Sequence, residues 1–440
     1  MPKIVTELPG PKAVEYLAKS RAFEPQSMSD QVPLVWEKAE GCVITDVDGN
    51  EFLDWSSGVL VTNVGHCHPY YVEEIKDQAE KLFNCYDFLT TARADLAEKL
   101  VEISPDHLEK AFLVTTGSDA TEAAIRMARR AHEGFEILAF HGSFHGRTYG
   151  AASAGGSRGV KMGFGPMTPG FLHTPFPYCY RCPFGLSCET CGYKCLEYID
   201  WTVERESCGE LCAVITESYQ GGAGSIIPPP GWYEKLDAWI KSNGLYLIFD
   251  EVQSSFGRTG KMFCMEHWDI KPDLVTLGKG LGSGVPCSAV LGTSEIMDVL
   301  PPGSMGSTNG GNPLSSRAAL AAIRIIEEEK LVDNAAAMGA IFQERFEAVA
   351  AKYEQLGDIR GMGLVFGLEM ITDAKSKQPN PPLCRRIVDE AYQRGLCIIA
   401  PIGMFGNVIR VAPPLVINAA QVHETMDIFE AAVAAAVKAE

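Results

Sequence analysis

The stretch Leu245-Tyr246-Leu247-Ile248-Phe249-Asp250-Glu251-Val252-Gln253 decides how this chain is read. Five apolar residues in a row predict a strand buried on both faces, which delivers the Asp250 carboxylate at its carboxyl end. In an open α/β sheet, ligands bind in the crevice beyond the carboxyl ends of the strands. A second apolar run, Leu274-Val275-Thr276-Leu277, ends in Gly278-Lys279-Gly280, so an acid and a lysine can face one crevice from two strand ends. That pair suits a pyridine-ring cofactor: the amine forms a Schiff base, and the acid keeps the ring nitrogen protonated so that the ring accepts electrons. Spacing alone serves equally well an Asp250 that caps a helix and a Lys279 on a solvated loop.

The surrounding pattern repeats strand, turn and helix. Ala111-Phe112-Leu113-Val114 leads into Thr115-Thr116-Gly117-Ser118-Asp119 and a helical run from Ala120 to Ala131. Ile137-Leu138-Ala139-Phe140 and Ala213-Val214-Ile215-Thr216 read as further strands, the latter ending at Glu217. Strands alternating with helices predict an α/β fold with a mainly parallel sheet covered on both faces. Helical spacing covers 70–104 and 313–352. Beyond residue 355, the strand-like runs 363–370, 396–400 and 408–412 alternate with helices at 382–394 and 419–437, which predicts a smaller α+β domain. Near the N-terminus, Cys42-Val43-Ile44-Thr45 and Glu51-Phe52-Leu53 flank a strong hairpin turn, Asp46-Val47-Asp48-Gly49-Asn50. The expected division is 1–65 contributing to the small domain, 66–330 as the large domain, and 331–440 as the C-terminal small domain.

Composition narrows the function. At 440 residues, 46% hydrophobic and 21% charged, the chain is expected to be a soluble globular protein of two or three domains. A formal charge of −18 argues against nucleic acid or an anionic membrane as the main partner. No run of about 18 uncharged apolar residues suggests a membrane span, and residues 1–20 lack the apolar core of a secretory signal. The cytoplasm is the expected location. Nine cysteines are scattered singly (Cys42, Cys67, Cys85, Cys208, Cys212, Cys264, Cys287, Cys384, Cys397) and read as small buried apolar residues in a reducing compartment.

Gly117-Ser118-Asp119 opens a helix directly after a strand, so free backbone N–H groups and the Ser118 hydroxyl make an anion site or, more simply, an N-cap. Phe144-His145-Gly146-Arg147-Thr148 places an aromatic ring that could stack on a cofactor beside an arginine that could hold a carboxylate. T-G-S-D-A-T-E-A at 116–123, F-H-G-R-T at 144–148, D-E-V-Q-S-S-F-G-R-T-G at 250–260, L-G-K-G at 277–280, G-S-T-N-G-G-N-P-L at 306–314 and R-V-A-P-P-L at 410–415 follow in one order. Together they resemble the class III (omega) aminotransferases, pyridoxal-phosphate enzymes of the aspartate-aminotransferase fold (fold type I). The resemblance, over about 350 residues, implies a homodimer or dimer of dimers with active sites at the subunit interface. It implies that Lys279 is the Schiff-base lysine and Asp250 the pyridinium partner. Gly117 and Ser118 would cradle the phosphate, Phe144 and Val252 would cover the two ring faces, and Gln253 would meet the ring hydroxyl. Thr308 would reach the phosphate of the partner subunit.

Arg147, Glu217 and Arg410 resemble the trio of 4-aminobutyrate aminotransferases. In that reading Arg147 holds the distal carboxylate of an omega-amino acid while Glu217 neutralises Arg410, and Glu217 swings away when 2-oxoglutarate binds. After Glu217, Ser218-Tyr219-Gln220-Gly221-Gly222 departs from the Pro-Val-Gln-Gly-Glu common in the family, and Met305 stands where the family often has histidine. The expected reaction is amino transfer from a 4-aminobutyrate-like omega-amino acid or related amine to 2-oxoglutarate or pyruvate. An amino-acid racemase or epimerase on the same scaffold is the alternative. A dialkyl amino-acid decarboxylase is weaker, since Val59-Leu60 lack the glutamine expected there.

Cys179, Cys182, Cys188, Cys191 and Cys195 form an insert of two C-x-x-C pairs plus one. Four thiolates can close a tetrahedral or iron–sulfur site, but five residues between the pairs is short for a zinc ribbon. The reading preferred is a structural loop with free thiols or a disulfide and no metal. A non-enzymatic module built on this insert would leave Lys279 and Asp250 without a role.

Overall fold

A computed structural model describes residues 2–28 and 30–439. Two compact units emerge: one comprises Tyr70–Phe256 and Lys261–Ile325, the other Met1–Pro69, Gly257–Gly260 and Ile326–Glu440.

The first unit is built on seven strands: β1 Lys110–Val114, β2 Glu136–Phe140, β3 Phe171–Thr174, β4 Leu211–Glu217, β5 Tyr246–Asp250, β6 Leu274–Leu277 and β7 Ser288–Gly292. Their order in the sheet is β1-β7-β6-β5-β4-β2-β3. The steps β3 to β2, β2 to β4, β4 to β5 and β5 to β6 are parallel. Only β7 runs against its neighbours β6 and β1. Two antiparallel steps return β1 to the common direction, so the carboxyl ends of β1, β2, β4, β5 and β6 share one edge. Register fixes the centre of that edge, with Glu217 opposite Asp250 and Asp250 opposite Thr276.

Helix Gly117–His132 covers one face through Ala120, Ala123, Ala124, Met127 and Ala128, all buried. Small side chains let the helix lie close on the β-branched surface of the sheet. Enlarging one of these alanines would overpack the seam at about 1–3 kcal/mol. A capping box starts this helix: the Asp119 N–H donates to Thr116 Oγ1, and the Thr116 N–H donates to the Asp119 carboxylate.

In the second unit the expected hairpin is present. Val43–Asp46 and Glu51–Asp54 pair antiparallel, and the Asp46 carboxylate ties the turn by accepting from the Asp48 and Asn50 N–H groups. Trp36–Glu40 extends this sheet on one side, and Leu396–Cys397 joins it in parallel on the other. Leu356–Met362, Val365–Met370 and Val408–Val411 form a second sheet. Trp55 packs edge-on against Phe342 and Phe346, and the fully buried Arg258 donates to the carbonyls of Leu364 and Pro413 and to Asn63 Oδ1. Of the nine scattered cysteines, six are buried, but Cys67 and Cys208 are exposed and Cys85 is half-buried. Cys67 and Cys208 lie in connections between elements, where no packed neighbour covers a small side chain.

Candidate active site

Asp250, at the carboxyl end of β5, is buried, and both its oxygens accept hydrogen bonds. Oδ2 lies 2.7 Å from His145 Nδ1, and Oδ1 accepts the Val252 N–H at 3.0 Å. An ionised aspartate only accepts, so it fixes the His145 proton on Nδ1 and the ring's orientation with it. His145 Nε2 is buried without a hydrogen-bond partner among the described residues. Both oxygens are thus held in place by donors, and the carboxylate can face a positive charge placed beside it. Sequence reasoning draws Phe144 and Arg147 from the F-H-G-R-T motif and passes over His145 between them. No spacing rule links His145 to a carboxylate 105 positions later; only the register of the sheet does.

Beside this pair, the first turn of helix Gly117–His132 faces the shared edge. A Cβ at residue 117 would sit 2.8 Å from Val252 Cγ1, so only glycine lets the helix start come this close to Val252. At Gly146, with φ +143°, an added Cβ would meet Ser118 Oγ at 2.4 Å. Ser118 Oγ accepts the Arg147 N–H at 3.1 Å, which ties the helix start to the segment bearing Phe144 and Arg147. Unpaired N–H groups at a helix start, a hydroxyl and a glycine-cleared wall are the donor set an anionic phosphate needs.

Phe144 is half-buried and Arg147 exposed, its guanidinium 5.9 Å from the Phe144 ring centre. Glu122 steadies the segment after Arg147, accepting from the Thr148 hydroxyl at 2.6 Å and the Ala151 N–H at 3.1 Å. Arg147, Tyr149, Ala152, Val160, Phe164 and Met167 line a cavity of about 220 Å³. Its wall is apolar apart from the guanidinium and the Tyr149 hydroxyl.

Glu217, at the end of β4, is buried, and its carboxylate accepts the N–H of Phe144 at 2.8 Å and of Gly221 at 3.0 Å. Burial pushes its carboxyl up to about 7; the Asp250 charge adds to the rise, while His145 and the two N–H groups oppose it. Tyr233 donates from its hydroxyl to the Glu217 and Ser218 carbonyls and so fixes the backbone at this point.

Lys279 follows β6 in a left-handed backbone conformation, φ +43°. A non-glycine residue held there carries strain of order 1–3 kcal/mol, which persists only where surrounding structure over-determines it. Val252 and Gln253 are half-buried, and Gln253 Oε1 has no partner among the described residues. Thr308 is exposed. Thus Gly117, Ser118, Phe144, Arg147, Glu217, Asp250, Val252, Gln253, Lys279 and Thr308 all belong to the first unit, whereas Arg410 is buried in the second, on Val408–Val411 opposite Gly367.

The family model for class-III aminotransferases matches residues 25–433. The chain belongs to the class III aminotransferases. It is therefore a pyridoxal-phosphate-dependent enzyme of fold type I, with a mixed, mostly parallel sheet. It is 39% identical to the leucine/methionine racemase of Thermococcus litoralis over 94% of each chain, and 35% identical to the probable 4-aminobutyrate aminotransferase of Bacillus subtilis over 90% of this chain and 91% of that one. Among solved structures, the (S)-enantioselective omega-transaminase of Thermomicrobium roseum superposes with a TM-score of 0.89 at 31% identity, covering 97% of this chain and 98% of that chain. Pyridoxal 5'-phosphate fits the residues present. The helix start with Ser118 offers donors to a phosphate, the half-buried Val252 and Phe144 offer apolar surfaces to a ring, and the unpartnered Gln253 Oε1 offers an acceptor. Among the described residues no helix is long and apolar enough to cross a membrane.

Proposed function

We propose that this aminotransferase takes the amino group from an omega-amino acid of the 4-aminobutyrate type and passes it to 2-oxoglutarate or pyruvate. The observation that carries the reading is the Arg147 guanidinium on the wall of a mostly apolar cavity of about 220 Å³. An exposed guanidinium beside methylene-sized space suits a carboxylate separated from its amine by a short alkyl chain, held bidentately.

Gly117 and Ser118 would hold the cofactor phosphate, Phe144 and Val252 the faces of its ring, and Gln253 its hydroxyl. Thr308, exposed, would serve the phosphate of a second subunit in a homodimer. When bound, pyridoxal phosphate supplies an electron sink for the substrate carbon that bears nitrogen. Asp250, fixed by His145 and the Val252 N–H, holds negative charge where the ring nitrogen would carry its proton. Lys279 Nζ takes a proton from the nitrogen-bearing carbon and later returns one. The Glu217 carboxylate would adapt the site to its second substrate, since a movable carboxylate lets one site accept two acids. In this structure that carboxylate rests on two backbone N–H groups.

A racemase or epimerase is the second reading, favoured by the 39% identity to a protein named leucine/methionine racemase. Val160, Phe164 and Met167 would equally suit a branched or thioether side chain. One experiment separates the two. The holoenzyme is given L-leucine, L-methionine or 4-aminobutyrate, each with and without 2-oxoglutarate or pyruvate. Amino transfer to the oxo-acid from 4-aminobutyrate supports the first reading; loss of optical activity from L-leucine with no oxo-acid present replaces it with the second.

A further inference from the structure

The cysteine insert takes no part in the candidate active site, yet its fold brings particular sulfurs together. Cys179 lies in a single helical turn, Cys179–Arg181, and Cys188 in the loop after it. Both are exposed, and the Cys179 thiol points at Cys188 Sγ across 3.4 Å. The remaining sulfurs are engaged otherwise. Cys191 Sγ reaches the Cys188 carbonyl at 3.6 Å, and Cys179, Cys182, Cys191 and Cys195 line one narrow cleft with Tyr178 and Tyr193. The Tyr193 hydroxyl donates to the Pro230 carbonyl at 2.6 Å and anchors the far end of the insert. One contacting thiol pair stands out from five.

We propose that Cys179 and Cys188 are a modification site, a dithiol that closes to a disulfide by exchange with a low-molecular-weight disulfide. Bond formation requires the sulfurs to close from 3.4 Å to about 2.05 Å. One thiolate of the pair bonds to one sulfur of the external disulfide, whose S–S bond breaks and releases one thiol. The other thiol then loses its proton and attacks the protein sulfur of the mixed disulfide, releasing the second thiol. Two protein thiols are oxidised, one small disulfide is reduced to two thiols, and no other oxidant is needed.

The test uses the reduced holoenzyme, exposed briefly to oxidised glutathione, with thiols then blocked and peptides analysed by mass spectrometry under non-reducing conditions. The wild type should lose two thiols and yield a peptide linked between residues 179 and 188. C179S and C188S should each lack the link and instead retain glutathione on the remaining cysteine of the pair, because the resolving thiol is gone. A link between other cysteines of the insert, unchanged thiols, or one zinc bound per chain in native mass spectrometry of the untreated protein would each overturn the assignment.

Discussion

Replacing Glu217 by glutamine reports directly on the buried carboxyl at the end of β4. Its carboxyl is raised from 4.5 to about 7, chiefly by burial. That displacement corresponds to about 3 kcal/mol at 1.36 kcal/mol per pH unit. Below about pH 4.5 both folded and unfolded chains hold the proton, and the carboxyl contributes no pH dependence. Between 4.5 and 7 the unfolded chain has released the proton while the folded chain still binds it, so stability falls as pH rises. Above 7 the full cost of the buried charge persists. Glutamine does not ionise and lacks this slope. Its carbonyl can accept one N–H, from Phe144 or Gly221, but its amide nitrogen then faces the other, a pH-independent loss of about 1–3 kcal/mol. E217Q should therefore be the less stable protein at pH 5 and close to the wild type, or above it, at pH 8. With an unfolding entropy of about 2.1 cal/mol/K per residue over 440 residues, about 3 kcal/mol amounts to about 3 °C in Tm, most of which falls between pH 5 and pH 8. Thermal unfolding followed by circular dichroism at both pH values, at equal cofactor loading, measures the change in the Tm difference. A difference that stays the same from pH 5 to pH 8 would show that this carboxyl does not carry the burial cost assigned to it.

Four further substitutions probe the site. Lys279→Ala should abolish both turnover and the visible absorption that pyridoxal phosphate acquires on binding the wild type; survival of both would remove the lysine from the chemistry. Asp250→Asn should lower kcat by about two to four orders of magnitude while the fold persists, as expected when a single preorganised charge is neutralised in a dry site. Gly146→Ala places a Cβ 2.4 Å from Ser118 Oγ; at about 1–3 kcal/mol of overpacking it should weaken cofactor binding roughly 5–150-fold, read by equilibrium dialysis. Arg147→Gln should raise KM for 4-aminobutyrate by about one to two orders of magnitude with little change in kcat, since a charge-assisted pair worth about 1.5–3 kcal/mol is lost from binding alone. An unchanged KM would place the substrate carboxylate elsewhere.

Much of this arrangement is legible in the sequence because the sheet edge is assembled from locally coded pieces. The apolar runs before Asp250, Glu217 and Gly278 are too apolar for anything but buried strands. The hairpin at 43–54 is announced by its Asp-Gly-Asn turn, and the capping box at Thr116–Asp119 marks a helix start. Ser288–Gly292 is not legible, because a short run of small and branched residues carries no sign of strand direction. Its antiparallel insertion between β6 and β1 is set by pairing with residues far away in the chain. Leu356–Met362 is hidden for a related reason: its charged and glycine residues pair on one side only. His145 shows the limit most plainly, since a histidine in a loop acquires its role only when β2 and β5 are brought close through β4. The exposure of Cys67 and Cys208 is likewise invisible, because residue type states a preference for burial and the connecting segments override it.

The sheet that contains the N-terminal hairpin has a consequence for how the polypeptide is made. Leu53 pairs with Leu396, Trp55 donates its N–H to the Cys397 carbonyl, and the Ser57 hydroxyl donates to the Ala412 carbonyl. At about 5–20 residues per second, a ribosome needs roughly 17–70 s to travel from one partner of the first pair to the other. Throughout that interval Phe52 and Trp55, both fully covered in the finished protein, lack late-made partners such as Tyr392 against Phe52 and, for most of it, Phe342 and Phe346 against Trp55. Nascent chains stalled short of Leu396 should therefore be sticky and chaperone-bound, even when the strands that carry Asp250 and Lys279 have already emerged.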